Sequence, residues 1–122
     1  YNRLELLKEC LEQVENQTIP AKKVIVVNNA STDGTEQYLR DYKEKNVRYR
    51  MIACAENLGG AGGFEKGIEL AAAERVDCIL MIDDDAVLEN DYMEKIMRAR
   101  LEHPDFQAFA GTVLIYRGRD CG

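Results

Sequence analysis

At 122 residues, 46% hydrophobic and 31% charged, the chain suits one domain with a real core and is too apolar to be disordered. No apolar run reaches the length that crosses a bilayer, and Tyr1 to Cys10 reads as the start of an amphipathic helix, not as a signal peptide. A formal charge of −6 argues against nucleic acid as a partner, so an anionic ligand needs a local device: a metal, a helix N-terminus or a glycine loop.

Residues 4 to 16 set Leu4, Leu7, Leu11 and Val14 on one stripe, widened by Leu6 and Cys10, with Glu5, Lys8, Glu9, Glu12 and Glu15 facing away. That spacing predicts an amphipathic helix ending before Pro20. Lys23 to Asn29 is a β-branched run and predicts a buried strand. A polar turn, Ala30 to Thr35, follows, with Ser31 or Asp33 as N-cap of a helix whose inner face is Tyr38, Leu39 and Tyr42. Val47 to Cys54 alternates enough to predict a strand near a sheet edge. Glu56 to Gly63 is a glycine loop, and Phe64, Ile68, Ala71 and Ala72 define a helix running to about Glu74. Cys78 to Ile82 predicts a buried parallel strand that runs straight into Asp83, Asp84 and Asp85. Tyr92, Met93, Ile96, Met97 and Leu101 then keep helical spacing, and Gln107 to Tyr116 is a last strand-like run broken by Gly111.

Helix and strand alternate throughout, so the expected fold is α/β with a mostly parallel sheet, residues 1–122 forming one domain. The four cysteines, Cys10, Cys54, Cys78 and Cys121, contain no CxxC pair; they read as reduced thiols of a cytoplasmic chain and not as a zinc site. His103, the single histidine, sits beside Pro104 and reads as a helix C-terminal cap.

Three stretches carry chemistry. Three adjacent carboxylates at the mouth of a buried strand repel one another and are costly to desolvate, which points to a bound cation; oxygen-only ligands suit Mg²⁺ or Mn²⁺. A solvated acidic turn is the plainer explanation. In Asn57-Leu58-Gly59-Gly60-Ala61-Gly62-Gly63-Phe64 the missing Cβ atoms let backbone approach a ligand, and the N–H groups of the following helix favour phosphate or hydroxyl oxygens. A flexible turn explains it too. Asn28-Asn29-Ala30-Ser31-Thr32-Asp33-Gly34 offers amides to a base or sugar, or forms an ordinary Asx turn with a helix cap. In a parallel sheet all three would converge at the carboxyl ends of the strands.

Tyr1-Asn2-Arg3, Val26 to Thr35, Asn57 to Phe64 and Asp83-Asp84-Asp85 follow the order and spacing of family 2 glycosyltransferases, and the chain closely resembles the nucleotide-binding half of their GT-A fold over nearly its whole length. The resemblance implies an α/β/α sandwich with a Rossmann-like, mostly parallel sheet, here without the family's usual first strand. The glycine loop with the Asp triplet looks most like the rhamnosyltransferase and galactofuranosyltransferase branch. By that resemblance Tyr1, Asn2, Arg3, Asn28, Asn29, Asp33, Asn57, Gly59, Gly60, Gly62, Gly63, Asp83 and Asp84 would bind a UDP- or dTDP-sugar, and Asp83 and Asp85 would hold the metal as a DxD-type pair. Asn28 stands where an Asp commonly meets the base, and Phe64-Glu65 replaces an Arg-Asn of many relatives.

The same resemblance implies an inverting transfer to a glycan acceptor in cell-wall or surface polysaccharide synthesis. Mg²⁺ or Mn²⁺ would neutralise charge on the departing diphosphate, and the carboxylate base is expected beyond Gly122. The chain then reads as a piece of a longer, membrane-associated enzyme, with weak nucleotide binding and no turnover of its own. Without the first strand, its former neighbours should expose edges, which invites homo-oligomers. Two rivals differ in class. A Rossmann oxidoreductase would use the loop for pyrophosphate and Asp83 or Asp84, about twenty residues on, for ribose; its third glycine falls at Glu65. An acidic α/β interaction module of receiver type would hold Mg²⁺ without catalysis.

Overall fold

The computed structural model describes residues 1–111. Helix α1, Leu4–Glu15, buries Leu7, Cys10, Leu11 and Val14 of the predicted stripe, while Leu4 at its start is half-buried and Leu6 is exposed. Strands β1, Val24–Asn28, and β2, Tyr49–Ala53, pair in parallel, Val24 opposite Tyr49 and Asn28 opposite Ala53. The crossover between them carries helix α2, Thr35–Lys45. A parallel pair needs such a connection, because the chain must return to the same end before it can run alongside itself.

The core lies on one face of this pair. Leu7 and Leu11 of α1, Leu39 of α2 and Tyr49 of β2 form a buried cluster, with Val24, Val26 and Met51 of the strands packed against it. Residues 24, 26, 49 and 51 share one side of the pleat, as the two-residue strand period requires. Tyr49 meets the Tyr42 ring edge-on at 4.8 Å, and its hydroxyl donates to Glu15 Oε1 at 2.5 Å. Burial, then that carboxylate, push the Tyr49 phenol far above its ordinary pKa. The other Glu15 oxygen pairs with Arg48 at 2.6 Å, so one carboxylate ties α1 to the entry of β2.

Helix α3, Gly59–Ala73, packs on β1 from the opposite face. Gly67 makes this approach possible: a Cβ there would lie 3.4 Å from Val27 Cγ2, on the side of the strand turned away from α1 and α2. The layers are therefore helix, sheet, helix, the α/β arrangement expected. Helix α4, Tyr92–Glu102, has no buried residue.

Four expectations change. Cys78–Ile82 is not a strand, and Ile79, Leu80 and Met81 are 42%, 37% and 55% exposed. Apolar β-branched sequence favours extended backbone, but a strand also needs a neighbour for its N–H and C=O groups, and among the described residues none runs beside this one. The glycine loop is shorter than predicted, since α3 begins at Gly59 and takes Gly60, Gly62 and Gly63 into its first turns. The cap of α2 is Gly34 at φ 88°, not Ser31 or Asp33. Gln107 to Gly111, the described part of the final strand-like run, is not strand; Thr112 to Tyr116 and Cys121 lie outside the described residues. His103 does occupy the C-cap of α4, its N–H bonded to Ala99 O. Among the described residues no helix is long and apolar enough to cross a membrane.

Candidate functional site

The Asn28 turn begins where β1 ends. Asn28 is buried, and its Oδ1 accepts the Ser31 N–H at 3.1 Å, closing an Asx turn. The turn holds Ala30 at φ 60°, a left-handed conformation that Cβ disfavours. Tyr1 to Arg3 lies against it. Asn2 N–H donates to Ser31 Oγ at 3.0 Å, and Thr32 N–H donates to Asn2 Oδ1 at 2.7 Å. Asp33 is engaged with both oxygens: Oδ2 accepts the Leu4 N–H at 3.0 Å and Oδ1 accepts the Thr35 N–H at 3.2 Å and the Thr35 hydroxyl at 2.5 Å. One carboxylate thus serves the N-termini of α1 and α2, where helix dipoles favour negative charge. The Thr35 hydroxyl, then these N–H donors, hold its carboxyl below the ordinary range.

The glycine bend is stitched to the same turn. Asn29 Oδ1 accepts the Leu58 N–H at 2.8 Å, its Nδ2 donates to Gly59 O at 3.0 Å, and Asn57 Oδ1 accepts the Gly59 N–H at 2.9 Å. Gly59 has φ 72°, which a side chain resists, and a Cβ at Gly62 would fall 2.7 Å from Leu58 Cβ. Gly60 faces open space, and a Cβ at Gly63 would make ordinary contact with Asn29. Since β1 and β2 are parallel, the Asn turn and the glycine bend leave the same end of the sheet.

Asp83 to Ala86 form a tight turn, closed by the Ala86 N–H on Asp83 O at 3.1 Å, with Asp84 and Asp85 at its centre. Arg3 reaches into it: Nη1 lies 2.8 Å from Asp85 Oδ2 and 3.4 Å from Asp84 Oδ1. Asp83 is exposed, and its carbonyl faces the Cys10 thiol at 3.7 Å. Burial, then the charges of Asp84 and Asp85, push that thiol upward, so Cys10 stays protonated and inert.

The structure brings the predicted residues together as a chain of contacts. The Asn turn touches the glycine bend directly, whereas the acidic turn joins them through Tyr1–Arg3, its contacts being with Arg3 and Cys10. Tyr1 is exposed. No group of three or more metal-binding side chains converges among the described residues, although Asp84 and Asp85 already share one cationic partner. Two carboxylates, with water and substrate phosphate completing the shell, are the donor type that Mg²⁺ or Mn²⁺ accepts; here Arg3 is the cation that Asp84 and Asp85 share.

Sequence reasoning missed Gln13 and Gln17. Gln17 is buried, donates to Glu89 O at 2.8 Å and accepts the Met93 N–H at 2.9 Å; Gln13 Oε1 accepts the Leu88 N–H at 2.6 Å. These amides strap the segment after the acidic turn to α1. A signal existed: Gln17 continues the apolar stripe three residues beyond Val14.

A family model described as glycosyl transferase family 2 matches residues 1–120. Among curated proteins, EpsH of Bacillus subtilis, named as a glycosyltransferase, is 33% identical over 105 residues, which is 86% of this chain and 29% of that protein. A poly-beta-1,6-N-acetyl-D-glucosamine synthase of Staphylococcus epidermidis is 34% identical over 112 residues, 92% of this chain and 26% of the synthase. A poly(ribitol-phosphate) beta-glucosyltransferase of Bacillus spizizenii is 35% identical over 88 residues, 70% of this chain and 13% of the enzyme. The chain spans less than a third of the length of each of these relatives.

Proposed function

The chain belongs to glycosyl transferase family 2, and from that premise we propose that residues 1–122 form the nucleotide-sugar-binding part of a GT-A glycosyltransferase that transfers a sugar to a glycan acceptor in surface polysaccharide synthesis. The observation that carries this reading is the continuous path from Asp84 and Asp85 through Arg3, Asn2 and Ser31 to Asn29 and the glycine bend. A basic group, amides and a helix start line one end of the sheet, and such a set suits a nucleoside diphosphate.

In this reading Tyr1, Asn2, Asn28 and Asn29 lie under the base and ribose, and Asp33 fixes the turn that presents them. The Leu58 and Gly59 N–H groups are taken by Asn29 and Asn57, so the next donors of the first turn of α3, at Gly60 and Ala61, face diphosphate or sugar oxygens, with Gly62 and Gly63 beside them. Asp83 and Asp85 hold Mg²⁺ or Mn²⁺, with Asp84 beside them. Such a cation, when bound, stabilises the charge of the departing diphosphate. No catalytic base is assigned among these residues. The glycine bend ending in Phe64-Glu65 supports UDP-galactofuranose or dTDP-rhamnose as donor, whereas two of the named relatives carry N-acetylglucosamine or glucose in their names.

Calorimetric titration with UDP and dTDP, with and without Mn²⁺, tests the site. Metal-dependent binding is expected, and loss of both metal and nucleotide affinity in an Asp83→Ala/Asp85→Ala variant. Metal-independent NAD binding with no response to UDP or dTDP would transfer the chain's function to the dinucleotide rival. A panel of UDP- and dTDP-sugars then ranks the donors.

A further inference from the structure

We propose that Arg3 is the acidic turn's own counter-cation, which competes with a divalent metal for Asp85 until a nucleoside diphosphate draws the guanidinium away, so that metal and nucleotide are taken up together. The inference rests on the functional reading above and adds to it an order of events at that site.

The geometry is that of a substitute cation. A single nitrogen, Nη1, bridges Asp85 Oδ2 at 2.8 Å and Asp84 Oδ1 at 3.4 Å. Adjacent carboxylates at the centre of a tight turn repel, and among the described residues Arg3 is the cationic side chain paired with them. A metal ligated through Asp85 needs the same oxygen. Both cannot hold it at full strength.

The pair is also built to be broken. The Arg3 and Asp85 side chains are 50% and 51% exposed, so water screens their attraction, and an exposed pair of this kind shifts an equilibrium by roughly fivefold at most. Arg3 precedes the first turn of α1 with φ −135° and ψ 46°, outside the helix, and follows Asn2 at φ 53°. Its side chain can leave the acidic turn without unwinding α1. Diphosphate oxygens are the better partner, because a guanidinium meets them with two parallel hydrogen bonds. Nucleotide therefore frees Asp85 as it binds, and by linkage the metal must raise nucleotide affinity by the same factor.

The test titrates the wild-type chain, Arg3→Gln and Arg3→Lys with Mn²⁺ alone, followed by electron paramagnetic resonance of free Mn²⁺, and then with UDP and dTDP in the presence and absence of Mn²⁺. Arg3→Gln should bind Mn²⁺ alone about three- to fivefold more tightly, the range an exposed pair allows, and bind nucleotide more weakly. Opposite signs for the two ligands are the signature, since a merely structural arginine would weaken both. Arg3→Lys keeps the charge but not the fork, and should fall between wild type and Arg3→Gln for both ligands. An unchanged or weakened Mn²⁺ affinity in Arg3→Gln, with wild type binding both ligands, overturns this inference alone. Wild type binding neither Mn²⁺ nor nucleotide overturns the functional reading with it. If far-UV circular dichroism shows that Arg3→Gln does not fold, Arg3→Lys decides: Mn²⁺ and nucleotide affinities both at the wild-type values count against the proposal.

Discussion

The two halves of the molecule are held by different forces. From Leu4 to Ala53, α1, β1, α2 and β2 close over Leu7, Leu11, Leu39 and Tyr49, and the sheet is paired along its length. From Val76 to Gly111 no described residue is buried, and the segment is fastened by polar contacts: Arg3 to the acidic turn, Gln13 to Leu88, Gln17 to Glu89 and Met93, Thr18 N–H to Asn90 O at 2.8 Å. Apolar packing is additive and hard to reverse locally, whereas a few hydrogen bonds can open without loss of the rest. The rigid half carries the Asn turn, and the half held by polar contacts carries the carboxylates. A ligand that joins them would find one platform fixed and the other adjustable.

The strongest way to break the contrast is to strike the packed half. Leu11→Ala, at a side chain 3% exposed, should cost about 2–5 kcal/mol in urea denaturation, a large share of a small domain's stability. The equivalent change at Leu101, 77% exposed in α4, should stay within about 0.5 kcal/mol. Equal losses at the two positions would abolish the distinction.

Gln17→Ala removes the two hydrogen bonds that its amide makes to the 89–93 segment, to Glu89 O and from the Met93 N–H, at once. An effect of about 1–3 kcal/mol is expected, and it should be local. Hydrogen exchange at the Met93 and Thr18 amides should quicken at least about tenfold, as about 1.4 kcal/mol of opening energy implies, while Val26 and Met51 stay protected.

Asp33 sharpens the comparison through pH. Its folded-state pKa is lowered, so the stability it contributes is present above its unfolded value, near 3.9, and is lost as pH falls through the lower folded value. The wild-type urea midpoint should fall on acidification across that window, and the difference between wild type and Asp33→Asn should narrow between pH 7 and pH 3. A constant difference would mean that Asp33 acts through shape and not charge.

The smallest effect is a gain. Ala30 holds φ 60° in the Asn turn, and Ala30→Gly should relieve up to about 1 kcal/mol of strain, read as a raised thermal midpoint. An unchanged or lowered midpoint would show that the turn holds its shape at no cost.

Much of the packed half was legible from spacing. Leu7, Cys10, Leu11 and Val14 are buried as the helical stripe predicts, and the β-branched run and its alternating partner form β1 and β2 within two residues of their expected limits. The candidate site was legible as a set of segments and less so in its wiring. Asn28, expected to offer its amide to a base, spends Oδ1 on Ser31, and Asp33 spends both oxygens on helix starts. Arg3 was named with its segment, but nothing in its neighbours on the chain points to Asp85, which lies 82 residues away.

By itself the sequence determined which elements form, their order, the parallel sense of the sheet through the helix that links its strands, and the family to which the motifs belong. Those properties follow from local periodicity, turn chemistry and the order of short motifs, all readable along the chain. Tertiary structure alone decided that Cys78–Ile82 stays outside the sheet, that Gly67 lets α3 lie on Val27, and that a cationic side chain rests on Asp84 and Asp85. The reason is physical: backbone pairing, close approach and charge compensation each depend on a group brought near by folding, whose distance along the chain carries no trace of that encounter.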